Sequence, residues 1–294
     1  GDFTTPNEAY FARADAVIRL AGQKGITILL DAIYLGWQCG DQGWCREVQA
    51  ATLSQMRFWG RYLGSRYKDF PNIIWLIGAD ANPFAYNVAD KLREMVAGIR
   101  EFDTAHLMTA HNDPGNSAQD IWGGDSWLDL NTVYQYGIEA LLAMSWEEHV
   151  RGGALPLFML ESAYEREHNS TPASLRYQAY GATLWGATLG SIFGNCPLWS
   201  FGFDDGWCTP TNWKGQLNST GAVEFGLFAS LMRSRKFWLL APDYNHSVMT
   251  DGYGSGAILA TTARASDGST VIAYIPTQRR VRMNLASITD VEGQ

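Results

Sequence analysis

Hydrophobic residues recur along most of the chain in two alternating patterns. In the first, apolar side chains return every three or four residues, as Phe11, Ala14 and Ile18 do, which predicts amphipathic helices. In the second, short and nearly continuous apolar runs predict buried strands. The predicted helices span residues 7–23, 49–67, 88–102, 138–151, 172–189 and 221–235. The predicted strands span residues 26–30, 73–77, 106–111, 129–136, 155–160 and 191–193.

The alternation of helices with apolar strands is typical of a parallel sheet covered by helices on both faces. Polar residues gather at the carboxyl ends of these strands, which favours a (β/α)8 TIM barrel over an open sheet. A doubly wound fold would need a glycine-rich phosphate loop after an early strand, and the sequence contains none. We therefore predict a catalytic barrel over residues 1–235, N-terminally incomplete because two of its strands would have to precede residue 1.

The pattern changes after the last predicted helix. Short β-branched stretches at 257–263, 270–276 and 280–285 are separated by glycine, aspartate and proline. They predict a small antiparallel β-sandwich module over residues 236–294, which stops abruptly at Gln294 and is expected to be truncated.

The charge and the aromatic content of the chain narrow the choice of partner. The formal net charge is −8, whereas nucleic acids and anionic membranes both attract clustered Lys and Arg. No apolar run of about 18 residues is present to span a bilayer, so neither nucleic acid nor membrane is an expected partner. The chain has 12 Trp and 13 Tyr, which fit either rings that stack on sugars or large side chains in the helix–sheet layer of a barrel.

The four cysteines fall into two pairs that are close in sequence, Cys39 with Cys45 and Cys196 with Cys208. Neither pair has the spacing or the nearby histidines of a structural zinc site. We predict two disulfides and hence an oxidising compartment, so that the protein is expected to be secreted or periplasmic; four free thiols are the alternative.

Two acidic residues end strong apolar strands, Asp80 after residues 73–77 and Glu161 after residues 155–160. Hydrolysis of a glycosidic bond needs one carboxyl group to protonate the leaving oxygen and a second to attack the sugar or to activate water. A barrel builds its active site at the carboxyl ends of its strands, so the pair indicates a glycosidase. The alternative is that each carboxylate caps a helix or pairs with an arginine.

Aromatic and polar residues near the predicted strand ends are candidates for substrate binding. The long loop 112–130 contains Trp127, and loops of this kind usually line the cleft of a barrel. Trp199 follows the last predicted strand, Trp37 lies beside the first cysteine pair, and His111 ends a strand. Each of these residues could instead be a structural anchor.

Several motifs resemble the apiosidase-like glycoside hydrolases (glycoside hydrolase family 140). They are segments 71–83, 127–131 and 161–165, together with 7–11, 213–221, 235–238 and 242–243, and they cover nearly the whole chain in collinear order. The resemblance implies a (β/α)8 barrel followed by a β module, with the catalytic Asp and Glu roles on Asp80 and Glu161. The matched motifs add Asn82, Asn131 and Tyr164 as expected substrate-binding residues, and Gln135, which begins an altered family segment, is a further candidate.

The chain departs from the family pattern around the expected cleft. Ala79 follows Gly78 where the family has a second glycine, and residues 135–138 replace Gln-Ser-Gly-His without the histidine. Ser191 and Phe193 stand where the family has His and Tyr. The resemblance therefore predicts the type of reaction better than it predicts the substrate.

We interpret the chain as a retaining glycoside hydrolase of plant-type or microbial polysaccharide or oligosaccharide, with neither metal nor cofactor. Glu161 would be the nucleophile and Asp80 the acid/base, with their carboxyl groups about 5–5.5 Å apart. The sugar stays open: an exo-acting apiosidase and an endo-acting β-glucanase, cellulase or xylanase all fit. A non-catalytic carbohydrate-binding protein is the alternative from another class, and the retention of both carboxylates disfavours it.

Overall fold

The structure is a computed structural model that describes residues 2–203, 206–208 and 211–289. The chain forms two compact units, Gly1–Asn131 and Thr132–Gln294. Within the described residues, no helix is both long enough and apolar enough to cross a membrane.

The first unit contains a parallel sheet and the helices that connect its strands. Its strands are β1 (Ile28–Asp31), β2 (Ile73–Ile77) and β3 (Met108–Ala110). Its helices are α1 (Glu8–Gln23), α2 (Cys45–Ala50), α3 (Leu53–Tyr67), α4 (Ala89–Arg100) and α5 (Ala118–Trp122). The strands pair in the order β1-β2-β3, with Leu30 opposite Trp75 and Trp75 opposite Met108. Four of the five residues of β2 are buried, as its apolar run predicts.

Helices α3 and α4 pack against each other with their backbones unusually close. A Cβ atom added to Gly60 would fall on the carbonyl oxygen of Met95, and one added to Gly98 would fall on that of Arg57. Glycine is therefore required on both helices, because any side chain would push their backbones apart.

One predicted helix is divided in the structure. The apolar periodicity predicts a single helix over residues 49–67, but α2 ends at Ala50 and α3 begins at Leu53. The side chain of Thr52 accepts a hydrogen bond from the backbone N–H of Gln55, and Gln55 accepts one from the N–H of Thr52. This capping box starts a new helix inside a continuous periodic pattern.

The second unit combines helices, a two-stranded pair and two antiparallel sheets. Its helices are α6 (Ile138–Val150), α7 (Pro172–Leu184), α8 (Cys196–Trp199) and α9 (Thr220–Arg233). The strands are β4 (Asn131–Tyr134), β5 (Leu157–Glu161), β6 (Leu240–Pro242), β7 (Met249–Asp251), β8 (Thr261–Ala265), β9 (Val271–Tyr274) and β10 (Arg282–Met283). Strand β4 pairs with β5, the order β6-β8-β9 forms an antiparallel sheet, and β7 pairs with β10 antiparallel.

Several boundaries in this unit differ from the predicted ones, and the following two change an element. The predicted strand 191–193 is reduced to an isolated parallel bridge between Ser191 and Met159. The helix predicted to end at residue 189 ends at Leu184, because Gly186 adopts a φ of 142° that no helix accommodates.

Helices α7 and α9 share a hydrophobic core with the sheet β6-β8-β9. Buried side chains from all of these elements form it: Ala179, Leu184, Phe228, Met232, Leu240, Ala263, Ala265 and Ile272. The antiparallel strands after α9 confirm the change of pattern that the sequence predicts there. The division into domains at residue 235 stays a prediction.

Both predicted disulfides, Cys39–Cys45 and Cys196–Cys208, are present, and no cysteine is free. The mixed α/β class and the antiparallel C-terminal sheets are also confirmed.

We expect Gly60→Ala to lower the free energy of unfolding by about 1–3 kcal/mol, the usual cost of overpacking. In an isolated helix the same substitution would be stabilising by up to about 1 kcal/mol, because alanine has the higher helix propensity. A loss of stability therefore reports the packing of α3 against α4. Denaturant unfolding would measure the change. Gly124→Ala is the control, because a Cβ there meets no atom within 4 Å. An unchanged midpoint for Gly60→Ala would contradict the close packing of α3 and α4.

Candidate active site

The catalytic candidate of the first unit, Asp80, lies three residues beyond the end of β2. Gly78 and Asp80 have φ values of 72° and 57°, both in the left-handed region, so the chain turns sharply as it leaves the strand. A left-handed aspartate is uncommon, and such conformations concentrate at functional sites.

The side chain of Asp80 is held between residues from the two neighbouring strand ends. The Tyr34 hydroxyl, which follows β1, donates a hydrogen bond of 3.1 Å to Oδ2 of Asp80. Nε2 of His111, which follows β3, lies 3.8 Å from Oδ1 of Asp80. Only 18% of the Asp80 side chain and 10% of the His111 side chain are exposed, so the carboxyl group is oriented and largely shielded from water.

A third polar side chain at this edge of the sheet is Asp31, the last residue of β1. Burial raises its pKa to about 7, against the opposing effects of a hydrogen bond from the Ile33 N–H and of His111. The negative charge of Asp80 raises that pKa further. Asp31 therefore holds its proton near neutral pH, as a carboxyl group in a desolvated and acidic environment does.

The other predicted residues of the first unit have different surroundings. Oδ1 of Asn82 accepts hydrogen bonds from the N–H groups of Phe84 and Ala85, at 3.1 and 3.3 Å, and so forms a local turn. Asn131 is fully buried, and its Oδ1 accepts a hydrogen bond of 2.9 Å from the Gln119 N–H. Both side-chain oxygens stabilise backbone, and substrate contact by these residues stays a prediction.

The two tryptophans predicted to bind substrate in the first unit are partly buried. Trp37 begins a short 3-10 turn that ends at Cys39, beside the disulfide. Trp127 packs edge-on against the buried ring of Trp122, with 5.3 Å between the ring centroids. The indole N–H of Trp127 is buried without a hydrogen-bond partner among the described residues, which leaves a donor for a ligand or a water.

In the second unit, Glu161 is the last residue of β5 and only 8% exposed. Its backbone carbonyl accepts a hydrogen bond from the N–H of Gln135, which follows the paired strand β4. The hydroxyl of Ser162 donates to the Gln135 carbonyl at 2.9 Å. The chain segments that follow β4 and β5 are thus tied together beside Glu161, and Gln135 belongs to this link.

Tyr164 and Trp199 differ in exposure. The ring of Tyr164 occupies the space that a Cβ at Gly194 would fill, so that glycine makes room for it. Trp199 ends the short helix α8 and is 52% exposed. Substrate contact by Tyr164 and by Trp199 stays a prediction.

Sequence reasoning did not single out Asp31 and Tyr34 as site residues. Both follow the apolar run of β1, as Asp80 follows that of β2, so the same strand-end signal marks them. Together the strand ends of the first unit provide an oriented carboxyl group, a phenol, an imidazole and a carboxylic acid near neutral pH.

Comparison with known proteins supports a family assignment. A family model described as "Apiosidase-like, catalytic domain" matches residues 1–239, which confirms the resemblance seen in the sequence motifs. No curated protein matches the chain. A glycoside hydrolase family 5 structure from Bacteroides vulgatus is 22% identical, with a TM-score of 0.81 over 95% of this chain and 64% of that chain.

A second structure, described as a glycoside hydrolase, is 21% identical, with a TM-score of 0.80 over 95% of this chain and 66% of that chain. The chain thus spans slightly less than two thirds of the length of either structure. At these identities the similarity establishes a shared fold.

We expect Asp31→Asn to remove a pH dependence of stability. The unfolded chain releases the Asp31 proton near its ordinary pKa of 3.8, whereas the folded protein keeps it up to about pH 7. The carboxyl group therefore favours the folded state at low pH, and this advantage is lost as the pH rises from about 4 to 7. The loss is at most about 1.4 kcal/mol per pH unit.

Denaturant unfolding from pH 4 to 8 would test this expectation. Relative to the wild type, Asp31→Asn should gain stability from pH 4 to about pH 7 and level off above it, whereas the exposed Asp69→Asn should not. A stability difference between Asp31→Asn and the wild type that does not change with pH would show that the pKa of Asp31 is ordinary.

Proposed function

The chain belongs to the apiosidase-like catalytic-domain family, and from this premise we propose that it hydrolyses glycosidic bonds with Asp80 and Glu161 as its catalytic carboxyl groups. The observation that carries the proposal is that each of these residues follows the carboxyl end of a buried strand, β2 or β5. Strand ends of this kind hold the catalytic residues of barrel enzymes. The parallel order β1-β2-β3 and the fold shared with glycoside hydrolase structures support a (β/α)8 barrel.

Asp80 is proposed as the acid/base. Its carboxyl group is fixed by the Tyr34 hydroxyl and lies beside His111, so it can present a proton in one direction. As the glycosidic bond breaks, Asp80 would give this proton to the leaving oxygen, and it would later remove a proton from the attacking water.

Glu161 is proposed as the nucleophile. Its position at the end of β5 and its low exposure support an attack on the anomeric carbon from a pre-oriented carboxylate. A glycosyl-enzyme ester would form, and water would then release the sugar with retention of the anomeric configuration.

The substrate is proposed to be a plant-type or microbial oligosaccharide or polysaccharide. Apiosides and the β-linked chains of glucan and xylan are the classes to test. The two disulfides support secretion or a periplasmic location, because such bonds persist in oxidising compartments.

We expect Glu161→Gln and Asp80→Asn each to lower kcat by several orders of magnitude and to leave the fold intact. Activity on 4-nitrophenyl apiofuranoside, glucopyranoside and xylopyranoside, and on xylan and mixed-linkage glucan, would measure the loss. Matched controls are Glu147→Gln, on the exposed side of α6, and Asp69→Asn, which precedes β2.

Proton NMR of the first-formed anomer would identify the stereochemistry. Net retention is expected, and inversion would mean that Glu161 activates water instead of attacking the sugar. A tenth or more of wild-type turnover in Glu161→Gln would exclude that residue as nucleophile. Binding of these glycans without any hydrolysis by the wild type would indicate a carbohydrate-binding protein.

We expect Trp199→Ala to raise KM between about twofold and tenfold, since stacking on a ring contributes roughly 0.5–1.5 kcal/mol. Because 52% of Trp199 is exposed, its loss should change the melting temperature little. Trp238→Ala is the control, since it removes a ring that is 64% exposed elsewhere in the second unit. A large fall in melting temperature with unchanged KM would contradict the stacking role of Trp199.

A further inference from the structure

The loop 164–170 follows Glu161 closely and is held in one conformation by its own hydrogen bonds. The N–H of Glu167 donates to the carbonyl of Tyr164 at 3.1 Å, and the N–H of Ser170 donates to the carbonyl of Glu167 at 2.8 Å. The Ser170 hydroxyl donates to the Tyr164 carbonyl at 2.6 Å. These hydrogen bonds fix the backbone of the loop.

Three residues of this loop are left-handed although none is glycine. Arg166, His168 and Asn169 have φ values of 71°, 47° and 54°. Each such residue costs free energy, and clusters of them are typical of ligand-binding segments, where the strain positions side chains. The loop thus holds Glu167 and His168 in place at a cost to stability.

The side chains of the loop meet those that follow strand β4. Oε1 of Glu167 lies 3.0 Å from Nε2 of His168. The His168 ring stacks at a tilt of 34° on the ring of Tyr136, with 4.3 Å between centroids. The Tyr136 and Tyr134 hydroxyls are 2.9 Å apart. A carboxylate, an imidazole and a phenol ring therefore form one group, which we call the Glu167 cluster (Tyr136, Glu167 and His168).

The Glu167 cluster lies next to the proposed nucleophile within the second unit. Glu161 ends β5, and Tyr136 follows the end of its pairing partner β4. Burial raises the pKa of Glu167, and so does the negative charge of Glu161, while His168 and the Tyr164 N–H lower it. The carboxylate of Glu167 is thus close enough to Glu161 to be affected by its charge.

Glu167 has two contacts within the loop: His168 beside Oε1, and the Tyr164 N–H, which donates to Oε2 at 3.3 Å. These contacts fix the carboxylate in place and do not use all of its acceptor positions. The exposed fractions of the side chains, 23% for Glu167 and 46% for His168, leave the group accessible from solvent. A carboxylate has about four acceptor positions, so the two contacts of Glu167 leave capacity for further donors.

We propose that the Glu167 cluster is a sugar subsite beside Glu161, in which Glu167 accepts hydrogen bonds from two adjacent hydroxyl groups and the Tyr136–His168 rings contact the sugar. This inference rests on the proposed function and specifies its substrate class further: glycans with a free vicinal diol on the unit bound here. Sugar hydroxyls are donors that a carboxylate binds strongly.

The first test is steady-state kinetics of Glu167→Gln on whichever of the three 4-nitrophenyl glycosides the wild type hydrolyses fastest. Loss of a charged hydrogen-bond acceptor should raise KM at least about tenfold and lower kcat less. Tyr136→Leu should raise KM in the same way. Glu147→Gln, an exposed carboxylate on α6, is the control and should keep the wild-type KM.

The second test uses the same glycoside with one hydroxyl of the diol methylated. Methylation should reduce kcat/KM at least about tenfold more in the wild type than in Glu167→Gln, because the wild type loses a hydrogen bond to a charged acceptor, whereas the amide of the variant is only a neutral acceptor. A merely structural residue would give equal losses in both proteins.

The outcomes separate this subsite from the proposed function. If Glu161→Gln abolishes activity while Glu167→Gln keeps the wild-type KM and methylation sensitivity, the subsite is wrong and the glycosidase remains. A lower melting temperature of Glu167→Gln with unchanged KM also overturns the subsite. A wild type that hydrolyses no glycoside overturns the proposed function and the subsite together.

Discussion

A strand whose side chains are buried among apolar groups can carry reactive polar residues only at its ends. This constraint determines where reactive groups can lie in the first unit. Strand β2 uses its backbone for pairing with β1 and β3, and its side chains are almost entirely buried. Polar groups appear only after Ile77, where Gly78 allows the left-handed turn that leads to Asp80. The edges of β1 and β3 end at the same level, which brings Tyr34 and His111 to Asp80.

The disulfide Cys39–Cys45 stabilises the loop that orients Asp80. Tyr34, whose hydroxyl binds Asp80, accepts a backbone hydrogen bond of 2.8 Å from Trp44, next to one end of the disulfide. The N–H of Gln38, next to the other end, donates to the Asp80 carbonyl at 2.9 Å. A cross-link between residues only six apart removes little chain entropy compared with one that closes a long loop. Its position indicates that it chiefly fixes the geometry around Asp80.

Local sequence patterns predict helices and strands well where burial of apolar side chains determines their bounds. They predict the bounds poorly where a single side chain determines them. The apolar run 73–77 is found as β2 without change, because no other structure buries it so fully. The break before α3 depends on the Thr52 capping box, and apolar periodicity does not register a cap. The short run 191–193 predicts a strand, but in the structure only Ser191 forms a bridge. An apolar run of this length is not sufficient to form a strand.

The candidate site shows the same limit. The strand-end rule leads to Asp80 and Glu161, which lie at the ends of β2 and β5 as expected. It does not lead to the Glu167 cluster. The cluster depends on a loop whose left-handed residues are not glycines, so the sequence carries no turn signal there. The rule also cannot say which polar side chains bind backbone, as those of Asn82 and Asn131 do.

Three glutamates, one at the end of β5 and two in the segment after it, show how different environments give identical side chains different roles. Glu161 is buried at the strand end, where the paired strand holds its backbone. Both oxygens of Glu165 are engaged: Oε2 accepts from Asn195 and the Ser219 hydroxyl, and Oε1 accepts from the Gly221 N–H at the start of α9. A carboxylate so fully satisfied at a helix N-terminus is an anchor.

Glu167, by contrast, is partly exposed and stands close to a second negative charge. Burial and the charge of Glu161 raise the pKa of Glu167, against the opposing effects of His168 and the Tyr164 N–H, so hydroxyl donors that approach the carboxylate would favour its ionised form. Glu165 fixes the segment to Asn195 and to the start of α9, so that the backbone before Glu167 has a rigid support, and Glu167 keeps the acceptor positions that the proposed subsite uses.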